Sequence, residues 1–141
     1  MEIIVLLATA NLILQIVTLA MLLLAYILKR RGAFLKHGTL MLVAVVVHTF
    51  SFLLAMGPAL WSLVENGLIQ DLSWLSIVTL IHASFGAIAL AVGIWLVGSW
   101  HLQSSTKNCS KRKIVMRYVF VLWVLALILG ITLFTLLYVL V

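Results

Sequence analysis

Residues Leu72 to Thr106 form a stretch of 35 residues without a single Asp, Glu, Lys or Arg. A run of that length and apolarity cannot be covered by a water-soluble fold of this size. It reads instead as a membrane-spanning helix with an interfacial end. The stretch also carries His82 and His101, two of the four histidines, and Gly86, Gly93, Ala83, Ala87 and Ala89 keep parts of its surface thin.

The rest of the chain repeats the message. It is 66% hydrophobic and 9% charged, with a mean hydropathy of +1.33, where a soluble domain carries roughly 25% charged residues. The expected fold is all-α: an integral membrane four-helix bundle, one transmembrane domain spanning residues 1–141, with no room for a separate soluble domain. The expected helices cover approximately 3–28, 37–64, 73–100 and 114–141. The opening Met1-Glu2 lacks a positive n-region, and the apolar run from Ile3 to Leu28 is longer than the roughly 7–15 residues of a signal h-region, so a cleavable leader is not expected.

Charge sets the topology. The net charge is +6, yet the nine Lys and Arg sit in two clusters: Lys29, Arg30, Arg31 and Lys36, then the segment from Lys107 to Arg117. The acids Glu2, Glu65 and Asp71 lie at the N-terminus and in the middle loop. A groove-tracking basic stripe is absent, so no nucleic-acid partner is expected; the partner is the lipid bilayer. The positive-inside rule puts both basic loops in the cytoplasm and both termini outside. Trp61, Trp74 and Trp100 fall at the expected interfaces. Asp71 or Ser73 suits the N-cap of the third helix, and Pro58 after Gly57 should kink or end the second. The lone Cys109, in a basic loop, excludes an intrachain disulfide.

Polar residues within the spans carry whatever function the chain has. Asn11, Gln15 and Thr18 share one face of the first helix, which should point into the bundle. In the second helix His37, Met41, Ala44, His48, Ser51 and Ala55 share a face. At a rise of 1.5 Å per residue, His48 lies about 16 Å above the cytoplasmic start of its helix, and His82 about 20 Å above the inner face of a ~30 Å core. Facing imidazoles within one helical turn in height would hold a haem b edge-on as bis-axial ligands. His37 and His101 share the cytoplasmic level and form a possible second cofactor pair, but spacings of eleven and nineteen residues do not match as two stacked haems would require. The plainer reading is that His48 and His82 are hydrogen-bonded within the bundle by Asn11, Gln15, Ser51 or Thr79; a metal or quinone site is a third. Ser51 or Thr79 would fix the second ring nitrogens. His37 alone reads as an interfacial residue facing headgroups, and Cys109 as an exposed thiol. No catalytic triad, paired carboxylates or phosphate-binding glycine loop appears, so no independent catalytic activity is expected.

Three stretches, KHGTLM (36–41), IHASFGAIALAVGIWLVG (81–98) and KRKIVMRYVFVLWVLALILGITLFTLLYV (111–139), resemble the family of four-helix prokaryotic membrane proteins that includes CtaM, a maturation factor for haem-copper terminal oxidases. His37 followed by Met41, His82 early in the next helix, and Trp123 then Gly130 in the last match the family's pattern. A further family histidine before the last helix is missing; NCSKRK stands there, and His48 and His101 have no counterpart. The resemblance implies a multi-pass protein of the prokaryotic plasma membrane that supports assembly of a respiratory oxidase, with haem or copper handled at His37 and His82 as metal-site residues, and oxidase subunits as partners. A haem b electron-transfer subunit and a structural small subunit of another membrane complex are the alternatives.

Overall fold

The structure is a computed structural model that describes residues 2–65, 67, 73–100 and 111–139. His101, Cys109 and Asp71 lie outside the described residues. The chain is helical: α1 Glu2–Arg30, α2 Phe34–Ser51, a π-helical turn Phe52–Met56, α3 Gly57–Glu65, α4 Trp74–Trp100 and α5 Lys113–Tyr138. Four segments are long and apolar enough to cross a membrane: Val5–Arg30, Phe34–Met56, Trp74–Trp100 and Lys113–Tyr138. The chain is an integral membrane helical bundle.

Local chemistry sets the boundaries. α1 stops at Gly32, which takes φ 76°, a left-handed conformation that costs glycine little. The Gly32 N–H bonds the Lys29 carbonyl at 3.1 Å and the Ala33 N–H that of Leu28 at 3.0 Å, the Schellman pattern, and the chain re-enters a helix at Phe34. The first basic loop is therefore shorter than expected, because Lys36 and His37 already lie inside α2. At α4 the expected Ser73 cap is present: its hydroxyl accepts from the Ser76 N–H at 3.3 Å.

Pro58 does not end the second span. Proline has no N–H, and in an α-helix its ring would collide with the carbonyl four residues back, that of Leu54. The helix widens over Phe52–Met56, so that the Gly57 N–H bonds the carbonyl of Phe52, five residues back, and then continues as α3.

The helices pair as two hairpins, α1 with α2 and α4 with α5; α2 then packs on α4 and α1 on α5. Lipid tails are as apolar as leucine, so close packing and internal hydrogen bonds hold such a bundle, and small residues at the crossings let backbones approach. Ala25, Ala44 and Ala89 have no exposed surface. A Cβ built on Gly93 would lie 3.4 Å from Val45 Cγ2 and 3.9 Å from the Trp123 ring. Large apolar side chains such as Leu6, Ile13, Val46, Ile88 and Ile128 point outward, as a lipid-facing surface requires.

The tryptophans divide. Trp61 and Trp74 are exposed, as residues of an interfacial belt would be. Trp100 is not: it is buried, its indole laid over Gly38 where a Cβ would stand. A partner without a side chain was available, and the ring took it.

Candidate functional site

The polar face of α1 does point inward. Thr18 is wholly buried, its hydroxyl donating to the Leu14 carbonyl of its own helix at 2.8 Å. Asn11 and Gln15 instead cross to the second span. Ser51 donates to Asn11 Oδ1, Gln15 Nε2 donates to Ser51 Oγ, and His48 Nδ1 donates to Gln15 Oε1 at 3.1 Å. This chain of donors ties α1 to α2 within the apolar spans, and it satisfies groups that hydrocarbon could not.

At the end of the chain stands His48, 1% exposed, the largest fully buried side chain of the bundle. Its ring lies against Trp123 of α5, centroids 4.5 Å apart and planes tilted by 51°. His48 Nε2 is buried, and Trp123 Nε1 is buried without a hydrogen-bond partner among the described residues.

His82 takes a different partner. Its Nδ1 donates to the backbone carbonyl of Ala126 in α5 at 2.8 Å. A carbonyl only accepts, so Nδ1 carries the proton and, in the neutral ring, Nε2 keeps its lone pair. Gly130, one turn beyond Ala126, makes the fit: a Cβ there would stand 3.0 Å from His82 Cε1. Neither Ser51 nor Thr79 holds a ring nitrogen of His82. Ser51 is engaged by Asn11 and Gln15, and the Thr79 hydroxyl bonds the Leu75 carbonyl of its own helix.

His48 and His82 line one cavity of about 710 Å³ on the acidic-loop half of the bundle. Asn11, Gln15, Thr79, Gly86, Trp123 and Gly130 contribute to its wall, and apolar residues of every helix supply most of the rest. The π turn and Pro58 form one side through Leu54, Ala55 and Met56. Pockets of roughly 300–1,000 Å³ with few polar groups hold drug-sized ligands. Gly86 has nothing within 4 Å of a built Cβ; it opens onto free space instead of receiving another helix.

The two imidazoles meet neighbouring points of the last helix: His48 packs on Trp123 and His82 on the Ala126 carbonyl, three residues apart on α5, about 4.5 Å at 1.5 Å per residue.

His37 belongs elsewhere. It is buried, not directed at headgroups, and its Nδ1 donates to the Ala25 carbonyl of α1 at 2.8 Å. It lines a small hollow at the basic-loop end with Met41, Trp100 and Met116. His37 and His82 therefore line different hollows. Among the described residues no group of three His, Cys, Asp or Glu could hold a metal ion.

Sequence reasoning pointed to Trp123 and Gly130 only through the family resemblance. The structure sets the first against His48 and the second against His82. Neither shows an intrinsic signal in a helix this apolar. No protein family matches the chain, and no curated protein or solved structure is significantly similar to it.

Proposed function

We propose that this integral membrane protein is a non-catalytic factor of the prokaryotic plasma membrane that supports assembly of a respiratory terminal oxidase, its larger cavity receiving a flat, mostly apolar group of the haem b kind. The observation that carries the reading is one 710 Å³ cavity, apolar in most of its lining, into which two helices each bring a histidine. The oxidase itself rests on the resemblance of the three stretches around His37, His82 and Trp123.

The donor chemistry of His82 suits such a group. A ligand imidazole characteristically gives its other N–H to a carbonyl, which fixes the tautomer and raises basicity; the Ala126 carbonyl does this for His82. Bound iron would supply colour and redox activity, and His82 is the residue that would hold it. His48 fits less directly, since Trp123 lies against its ring and its Nε2 is covered. A bis-histidine electron carrier would need the Trp123 indole to move away from the His48 ring. His48 instead braces Trp123 from behind and, through Gln15, Ser51 and Asn11, holds the cavity wall against α1.

The test is genetic and biochemical together. Deleting the gene should lower terminal-oxidase activity, and His82→Ala should fail to restore it while the protein still accumulates in the membrane. Unchanged oxidase activity in the deletion strain contradicts the reading. Restoration by a variant lacking every histidine would favour a purely structural subunit.

A further inference from the structure

The hollow at the basic-loop end is unlike the larger cavity. Its volume is about 30 Å³, room for one water or one ion. Its wall holds His37, Met41, Met116 and the Trp100 indole. His37 and Met41 are four apart on α2, hence on one face; Met116 comes from the first turn of α5.

Each polar contact there prepares a ligand. The His37 Nδ1–H is given to the Ala25 carbonyl, which leaves the Nε2 lone pair as the free donor. Met41 and Met116 contribute thioether sulfurs. One of these already meets a cation: Lys29 Nζ lies 3.6 Å from Met116 Sδ.

We infer that His37, Met41 and Met116, beneath the Trp100 indole, form a binding site for a single Cu(I) ion. The chemistry selects the metal. Thioethers are soft ligands that favour Cu(I), and zinc sites use thiolate, imidazole or carboxylate. The ligand set is neutral, and no Asp or Glu occurs in the sequence around its residues, between Ile3 and Val64 or from Leu72 to Val141. A buried neutral site accepts one positive charge far more readily than two. An indole face adds cation–π attraction that a singly charged, weakly hydrated ion can use. Lys29 is the competitor: its ammonium rests on Met116 until the metal arrives, then swings to the water at the end of α1, as a long lysine stem at a helix end can. The exchange is cation for cation and involves no change of oxidation state.

This site does not rest on the haem or oxidase reading. The test uses the full chain in detergent micelles, with Cys109→Ser so that the single thiol cannot take the metal. Under anaerobic conditions with ascorbate, Cu(I) is partitioned against bicinchoninate. One Cu(I) per chain is expected, with sulfur and nitrogen scattering in its X-ray absorption spectrum. Met41→Leu and Met116→Leu, which keep apolar volume and so the fold, should each weaken binding at least tenfold. Lys29→Gln should tighten it several-fold, and His82→Ala should leave it unchanged. Binding no better than empty micelles, or undiminished in the double Met→Leu variant, overturns the site. Retained haem binding in that same variant would separate this failure from any failure at the larger cavity.

Discussion

Three glycines in this bundle make opposite predictions under the same substitution. At Gly86 nothing lies within 4 Å of a built Cβ, so Gly86→Ala gains helix propensity with no clash and should stabilise the protein by up to about 1 kcal/mol. At Gly130 the Cβ would press on His82 at 3.0 Å, and the ring is already pinned by its 2.8 Å bond to Ala126. The same propensity gain is there outweighed by the clash and by loss of a part-buried hydrogen bond, about 0.5–1.5 kcal/mol. Gly130→Ala should therefore lower the midpoint of unfolding in mixed micelles and shift the His82 Nδ1–H resonance; a stabilised variant with an unshifted resonance would contradict the placement of His82. Gly38→Ala drives the Trp100 indole off its seat and should change its fluorescence. None of these differences was legible in the sequence, because what a glycine accommodates is decided by whichever helix faces it.

At the scale of elements, two devices shape the cavity. The first is the donor chain from His48 through Gln15 and Ser51 to Asn11. Interhelical hydrogen bonds in membranes average only about 0.6 kcal/mol, but Gln15→Leu strips a partner from both Ser51 and His48 at once and should cost about 1–3 kcal/mol. A double-mutant cycle between Gln15 and His48 measures it, and a coupling near zero would show that the chain does not hold the helices together. The second is the π turn. With Pro58→Ala the helix regains an N–H and can wind as α throughout, which turns Leu54, Ala55 and Met56 by about 100° relative to the rest. Ligand affinity of the cavity should fall while total helicity stays the same. The sequence made the α1 face and the break in regular helix at Pro58 visible through spacing and through the chemistry of proline. It also offered Gln15 as one of four candidate partners of His48, and the structure picks it out; helix periodicity gives a face and does not choose among its residues.

For the whole molecule, four spans were evident from length and apolarity alone, because hydrocarbon tolerates no other architecture for such runs. The partners of the histidines were not, since they depend on which residues of α5 face each ring. The positive-inside rule predicts Cys109 on the cytoplasmic side, so a membrane-impermeant maleimide should label it in inverted vesicles and not in intact cells; labelling from outside would reverse the topology.

The larger cavity is proposed to receive a haem-like group through His82. The most direct measurement is the absorption spectrum of the purified protein, as isolated from haem-replete cells and during titration with haemin. One haem per chain should bind with quenching of tryptophan fluorescence, because Trp123 lines the same cavity. His82→Ala should abolish the Soret band, and His37→Ala should leave it in place. A folded, colourless protein that takes up no haemin, or a Soret band unaffected by His82→Ala, would contradict the account.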